Sequence, residues 1–330
     1  MAKDPGLAAD TCIYMEAVAG DGGAHNSNGV WWLSPDIKLT GPTSGLDKAD
    51  PGQLNPVEVT CHRKAAGSNC VTPGGETITI QLWVGNPSLA MTPDNPASTF
   101  LVQSIGHDFP AEGASATQEF DWTPPDGLPA DNPQSSGHKC LIARAYPDSL
   151  TPSAKKFFVP GDPHVAQHNI CIVPCGGPGA AKRPGPCGFK VLTLNLNAEQ
   201  IETVILRAAG DLNPSKFVRT VVLERLEKTQ GFRRLATRPP RGFKFLLPDF
   251  PKAEVTDRTR PGCLAGLFGI GFRPSYEAKV ELRPGQLISF TFLADLTGAS
   301  FGDAYIFHLT QTGAADASAQ GGLTIVMVSV

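Results

Sequence analysis

The sequence predicts an all-β protein built as two tandem antiparallel β-sandwiches, and three observations carry that expectation. Glycine (35) and proline (30) together fill roughly a fifth of the 330 residues, against an average of about 12%. So many turn formers cut the chain into short segments, which favours strands over long helices. Stretches of alternating polar and apolar residues recur between turn clusters, ETITIQLWV (76–84) being the clearest. Finally, GGPGAAKRPGP (176–186) has the composition of a linker and divides the strands into two sets. The expected organisation is an N-terminal arm (1–25), a first sandwich (26–175), a linker (176–188) and a second sandwich (189–330).

In the arm the only apolar patch is Thr11, Cys12, Ile13, Tyr14 and Met15, followed by the loop chemistry of AGDGGAHNSNG. A strand so isolated needs a partner, and residues 11–18 are expected to pair outside the compact part of the first domain, which makes them the assembly candidates. WWLSPDI (31–37) is expected to be the first core strand, interrupted at Ser34-Pro35 because proline offers no N–H. VEVTC and a cysteine insertion lead to ETITIQLWVGNP, where Ile78, Ile80 and Leu82 alternate with Thr77, Thr79 and Gln81. FLVQSIG, ATQEFDWTPP, KCLIARAYPD and the closing HVAQHNICIV (164–173) complete the first set. In the second, FKVLTLNLN, RTVVLERL, GFKFLL, YEAKVELRPGQLISFTFLADL, DAYIFHLTQTG and LTIVMVSV all read as strands. AEQIETVILRAAG (198–210) reads both ways: Ile201, Ile205 and Ala208 stand at helical spacing, while TVILR suits a strand, preferred because its surroundings are β.

The net charge of −3 and pI near 6.2 provide no global field toward nucleic acid or acidic lipid. No apolar run approaches the ~18 residues of a membrane span, and the N-terminus lacks signal-peptide chemistry. Eight cysteines are too sparse for a fold that depends on disulfides. Cys61 with Cys70, and Cys175 with Cys187, each bracket a short loop where a covalent staple fits, which leans toward an oxidising compartment.

Several constellations invite chemistry and fall short of it. His164, His168, Cys171, Cys175 and Cys187 have zinc-ligand residue types, but they lie along one extended run, and Cys171 and Cys175 would stand about 13 Å apart on a strand. A strand with a buried thiol and a loop disulfide is the expectation. GASFG (298–302) fits G-x-S-x-G with Asp303 and His308 close by, yet a nucleophile elbow needs a following helix and a distant histidine, so a hairpin turn is expected. Arg219, Arg225, Lys228, Arg233, Arg234, Arg238, Arg241 and Lys244 form a basic stretch with few aromatics, expected as a solvated face with a role in subunit contact. Asp36, Asp47, Asp50, Asp94, Asp121 and Asp126 lie in expected loops without a calcium-binding pattern. On a strand, Trp31 and Trp32 point to opposite faces, leaving one of them free for ligand stacking on a sugar.

WWLSPDIKL, ETITIQLWVGNP, GHKCLIARAYPD and PHVAQHNICIV together resemble the bacterial immunoglobulin-like, cell-adhesion-related β-sandwich modules of secreted and surface proteins, over roughly residues 26–174. VELRPGQLISFTF, GDAYIFHLTQ and GGLTIVMVSV resemble such modules more loosely, and the cysteine insertion at 61–70 departs from them. The resemblance implies a binding or architectural module, no enzyme and no cofactor. The expected role is a structural or interaction protein, a subunit of an extracellular filament, fibre or surface assembly whose partners are copies of itself or other proteins. The alternative is a carbohydrate-binding or adhesion module with a polysaccharide partner; a metal-dependent hydrolase is a third, weaker reading.

Overall fold

The computed structural model describes residues 12–25, 29–40, 48–64, 77–108, 115–148, 150–152, 157–176, 185–248, 254–259 and 274–330. Among the described residues the chain is nearly all β, with several antiparallel sheets and one α-helix, and it divides into two compact units. One comprises residues up to Asn86 together with Met91–Asn169, and the other Pro87–Ala90 with Ile170–Val330. The change of unit at 169/170 falls inside HVAQHNICIV, ahead of the expected linker, whose residues 177–184 lie outside the described ones.

Unit 1 holds β1 (Ile13–Tyr14), β2 (Ile37–Leu39), β3 (Lys48–Ala49), β4 (Asn55–Arg63), β5 (Thr77–Gly85), β6 (Thr99–Asp108), β7 (Ser115–Trp122), β8 (Gly137–His138), β9 (Cys140–Pro147) and β10 (Val165–His168). β4 is flanked by β1 and β2 on one edge and β7 on the other; a second sheet runs β10-β9-β5-β6, and β3 pairs β8. Alternate residues of β4 and β5, among them Val57, Val59, Ile78, Ile80 and Leu82, are buried in one core shared with Phe120, Trp122 and Leu141. Period-two alternation thus put one face of each sheet inward, as the sequence pattern required.

The N-terminal patch is not a free donor. Ile13 pairs Arg63 and Tyr14 pairs His62 on β4, the Lys64 N–H donates to Cys12 O at 2.9 Å, and the Met15 N–H to Pro163 O at 2.8 Å. Cys12, Ile13, Met15 and Ala17 are all buried. With two fully buried large apolar side chains, this segment is more stable as part of its own core than as an arm in water. Thr11 lies outside the described residues.

WWLSPDI is not one strand either. Trp31 and Trp32 sit in a turn, Leu33 makes an isolated bridge to His168, and β2 begins only at Ile37, past the Ser34-Pro35 break. Because a turn does not alternate faces, both indoles are buried, packed edge to face at 5.4 Å. Neither presents a ring for sugar stacking.

Unit 2 holds β11 (Ile170–Cys175), β12 (Pro186–Leu194), β13 (Glu202–Asp211), α1 (Lys216–Leu226), β14 (Arg234–Leu235), β15 (Gly242–Leu246), β16 (Glu254–Arg258), β17 (Ser275–Leu282), β18 (Leu287–Asp295), β19 (Asp303–Gly313) and β20 (Ala319–Ser329). A sheet ordered β11-β20-β19-β13-β17-β16, with β14 added on β19, faces the three-stranded sheet β12-β18-β15 across one apolar core. The pairs β11–β20 and β14–β19 are parallel, so the sheet is mixed rather than purely antiparallel. Phe243, Phe292 and Phe307 form the centre of that core, with ring centroids 5.0–5.9 Å apart.

The ambiguous 198–210 stretch is strand β13 from Glu202 onward, after a loop at 198–201, whereas RTVVLERL belongs to the helix. Ser215 caps α1 by accepting from the Val218 N–H, and Val218, Val221, Val222, Arg225 and Leu226 form its buried face. That spacing outweighs the strand propensity of the two valines and the threonine. Among the described residues no helix is long and apolar enough to cross a membrane.

Residues Pro87–Ala90, between β5 and β6, belong to unit 2. There Ser88 bridges Leu192, and Leu89 is fully buried in the second core. A Cβ on Gly321 would stand 1.4 Å from Leu89 O, so the strand accepts only glycine at this close approach.

Cys175 and Cys187 form a disulfide. Cys61 does not form the other expected staple. It is a free, buried thiol on the inward face of β4, facing Ala116 O, and burial pushes its pKa up to about 12. Cys12 is disulfide-bonded, while Cys70 lies outside the described residues.

Candidate functional site

In unit 2 a cavity of about 450 Å³ lies between two segments that the sequence presents far apart, 234–241 and 296–305. Its size is that of a site for a small molecule or a monosaccharide unit. The short strand β14 brings the segments together: Arg234 pairs Asp303 in parallel register, and the Ala236 N–H donates to Ala304 O at 2.8 Å. Farther along, the Arg241 N–H donates to Asp295 O at 3.0 Å, anchoring the other end of the loop against β18.

The lining contains the guanidinium groups of Arg234, Arg238 and Arg241 against the single carboxylate of Asp303. Arg234 Nε donates to Asp303 Oδ1 at 2.7 Å, and the Ser300 N–H donates to Asp303 Oδ2 at 3.2 Å, so this carboxylate is occupied. No carboxylate among the described residues pairs with Arg238 or Arg241, and both are exposed. Thr297, Ser300 and Tyr305 add hydroxyls, and Pro239 and Pro240 add apolar surface. Burial raises the pKa of Tyr305, Asp303 raises it further, and Arg234 opposes them. The phenol is therefore a neutral donor at physiological pH. Such a cavity can hold an anion between two uncommitted guanidinium groups and hydroxyl donors.

The GASFG segment is thus one wall of a pocket, not a hairpin turn. It carries the chain from β18 in one sheet to β19 in the other. His308 is bonded elsewhere, to Asp211 Oδ2 and Thr324 Oγ1, each at 3.1 Å, so no serine–histidine pair forms. The basic stretch is not one face: Arg219 and Arg225 lie on α1, Arg225 buried, while Arg233 stacks over Phe301 at 5.0 Å and Arg234, Arg238 and Arg241 line the cavity.

The expected metal-like run is likewise dispersed. The His164 Nδ1 lies 2.9 Å from Asp162, His168 Nδ1 donates to Ser34 O at 2.8 Å, Cys171 is buried in the core of unit 2, and Cys175 and Cys187 are bonded to each other.

A different group gathers in unit 1. Ligating atoms of Glu16, Asp36 and His62 all lie within 4.8 Å of one another. His62 Nε2 stands 2.9 and 3.1 Å from the two oxygens of buried Asp36, and the Glu16 N–H donates to Asp36 Oδ2 at 2.5 Å. The bond to Asp36 raises the pKa of His62, burial opposes it, and the charges of Asp36, Glu16 and Asp21 raise it further. Of these only Asp36 stands out in the sequence; His62 and Glu16 carry no local motif, and the three meet only because β1 and β2 flank β4.

No family model matches the chain, and no curated protein matches it. Among solved structures, it is similar to a red sea bream transglutaminase with 11% identity and a TM-score of 0.20, over 91% of this chain and 32% of that one. It is similar to the CupB6 tip adhesin of Pseudomonas aeruginosa with 11% identity and a TM-score of 0.18, over 89% and 96% of the two chains. The chain spans about a third of the transglutaminase. Likenesses this distant carry no functional argument, so function rests on the site itself.

Proposed function

We propose that this chain is a non-enzymatic binding protein of two immunoglobulin-like sandwiches in an adhesion or structural role, and that its second unit recognises an acidic polysaccharide. The observation that carries this reading is the cavity of about 450 Å³ whose lining sets Arg238 and Arg241, with no carboxylate partner among the described residues, beside the hydroxyls of Thr297, Ser300 and Tyr305. A uronate carboxylate or a sulfate ester supplies the charge for the guanidinium groups, and sugar hydroxyls suit the remaining donors. The buried pair Trp31–Trp32 has no part in it.

The test is isothermal titration of the whole protein with uronate-containing, sulfated and neutral polysaccharides. Binding restricted to the acidic ones, weakened at least about tenfold in the Arg238→Ala/Arg241→Ala double variant and by raised salt, is the expected result. Equal binding of neutral and acidic polysaccharides, or an unchanged affinity in the double variant, would refute it.

A further inference from the structure

We infer that Glu16, Asp36 and His62 form a binding site for one divalent transition-metal cation, of zinc character, that locks the N-terminal segment onto unit 1. This site is independent of the cavity in unit 2. Three separate stretches deliver its ligands: Glu16 follows β1, Asp36 lies in the turn before β2, and His62 stands on β4. Their oxygen and nitrogen atoms fall within 4.8 Å of one another, with His62 Nε2 and Asp36 Oδ1 at 2.9 Å. Two ligands on one tetrahedral zinc, each about 2.0–2.1 Å from it, stand roughly 3.3 Å apart. The His–Asp pair is already near that separation, and a Glu16 carboxylate oxygen lies within 4.8 Å of both while the same carboxylate accepts from the Gly20 N–H at 2.8 Å.

The supports around the ligands are those a metal centre needs. The Asp36 N–H donates to Ser34 Oγ at 3.1 Å, and Asp36 O accepts from the Thr60 N–H at 2.8 Å, fixing the carboxylate from both sides of its own backbone. The Tyr14 ring stacks on His62 at 5.1 Å with planes 23° apart, which holds the imidazole edge toward the carboxylates. Among the described residues no lysine or arginine neutralises Glu16, Asp21 or Asp36; the imidazole is the one ion-pair partner they have. Asp36 is buried, but the His62 side chain is 23% exposed and Glu16 half-buried, so one side remains open for water as further ligands. The mixture of one imidazole and two carboxylates selects a borderline cation such as zinc over calcium, which takes six to eight oxygens. In binding, the cation takes the place of the proton that His62 shares with Asp36.

The experiment uses the full chain, freed of metal with a chelator and then dialysed, and titrates it calorimetrically with zinc chloride and with calcium chloride. Zinc is expected to bind one per chain and to raise the thermal midpoint of unit 1, read by tryptophan fluorescence, with calcium leaving both unchanged. Glu16→Gln, at a partly exposed position outside the core, keeps the fold and is expected to weaken zinc at least about tenfold, as is His62→Gln. Absence of zinc binding by the native chain overturns the proposal. So does zinc binding of native affinity in both folded variants, which would place the ion elsewhere, and so does a preference for calcium.

Discussion

Replacing Ile13 with alanine separates a core strand from a free arm more sharply than any deletion. Ile13 is fully buried on β1, in the core it shares with Ile37, Val59 and Ile80. The substitution removes three carbons, worth about 2.4 kcal/mol at ~0.8 kcal/mol per buried CH₂. A residual cavity beneath a strand of only two residues raises the cost to about 3–4 kcal/mol. All four tryptophans, Trp31, Trp32, Trp83 and Trp122, lie in unit 1, so urea unfolding followed by tryptophan fluorescence reads the unit concerned. The midpoint is expected to fall with the slope unchanged. A shift equivalent to less than about 0.5 kcal/mol, the size of an ordinary surface change, would show that residues 12–17 contribute nothing to this core and would restore the donor arm.

Three further outcomes follow from the geometry. Cys175→Ala/Cys187→Ala opens a loop with a sequence separation of 12 and is expected to cost about 3 kcal/mol by chain entropy, measured by circular dichroism because unit 2 has no tryptophan; a loss below about 1 kcal/mol contradicts the entropic account. Ser215→Ala removes the side-chain cap from the Val218 N–H and is expected to destabilise unit 2 by about 1 kcal/mol, with Ser215→Asp restoring it in the same melt. His62 is raised above its ordinary value, chiefly by Asp36, so its stabilisation is full below about pH 6.5 and is lost as pH rises through the folded-state value. With chelator present, the stability gap between the native chain and His62→Gln should therefore narrow as pH rises above about 6.5; a gap that widens contradicts the bridge.

The strands were legible because each carries its own evidence. β5 alternates buried apolar Ile78, Ile80 and Leu82 with Thr77, Thr79 and Gln81, and β19 is bounded by its own turn residues, so local composition sufficed. The helix was read as a strand: Pro214-Ser215 followed by Val218, Val221, Val222 and Leu226 is a helical start and face, hidden behind the strand propensity of TVVL. Trp31 and Trp32 show the reverse case, where a correct rule about strands was applied to residues that form a turn. The sites were legible only in pieces: the basic stretch, GASFG with Asp303, and Asp36 stood out singly, but nothing in the sequence joined them. Arg238 and Arg241 look like any solvated charges until β14 docks on β19 and sets them opposite residues 296–305. His62 acquires meaning only from Asp36, 26 residues away in sequence. Chemistry made by long-range pairing leaves no local periodicity to read.

The tetrapeptide Pro87–Ala90 bears on how such a protein can be inherited. A coding fragment that stopped at Asn169 would carry Leu89 with no core to enter, and one that began at Ile170 would leave a vacant slot beside Gly321. Beads on a string are shuffled one at a time, because each is a continuous stretch of gene. Here recombination at the unit boundary yields two incomplete products, so the pair, rather than either sandwich, is what can be copied, moved or fused to other domains.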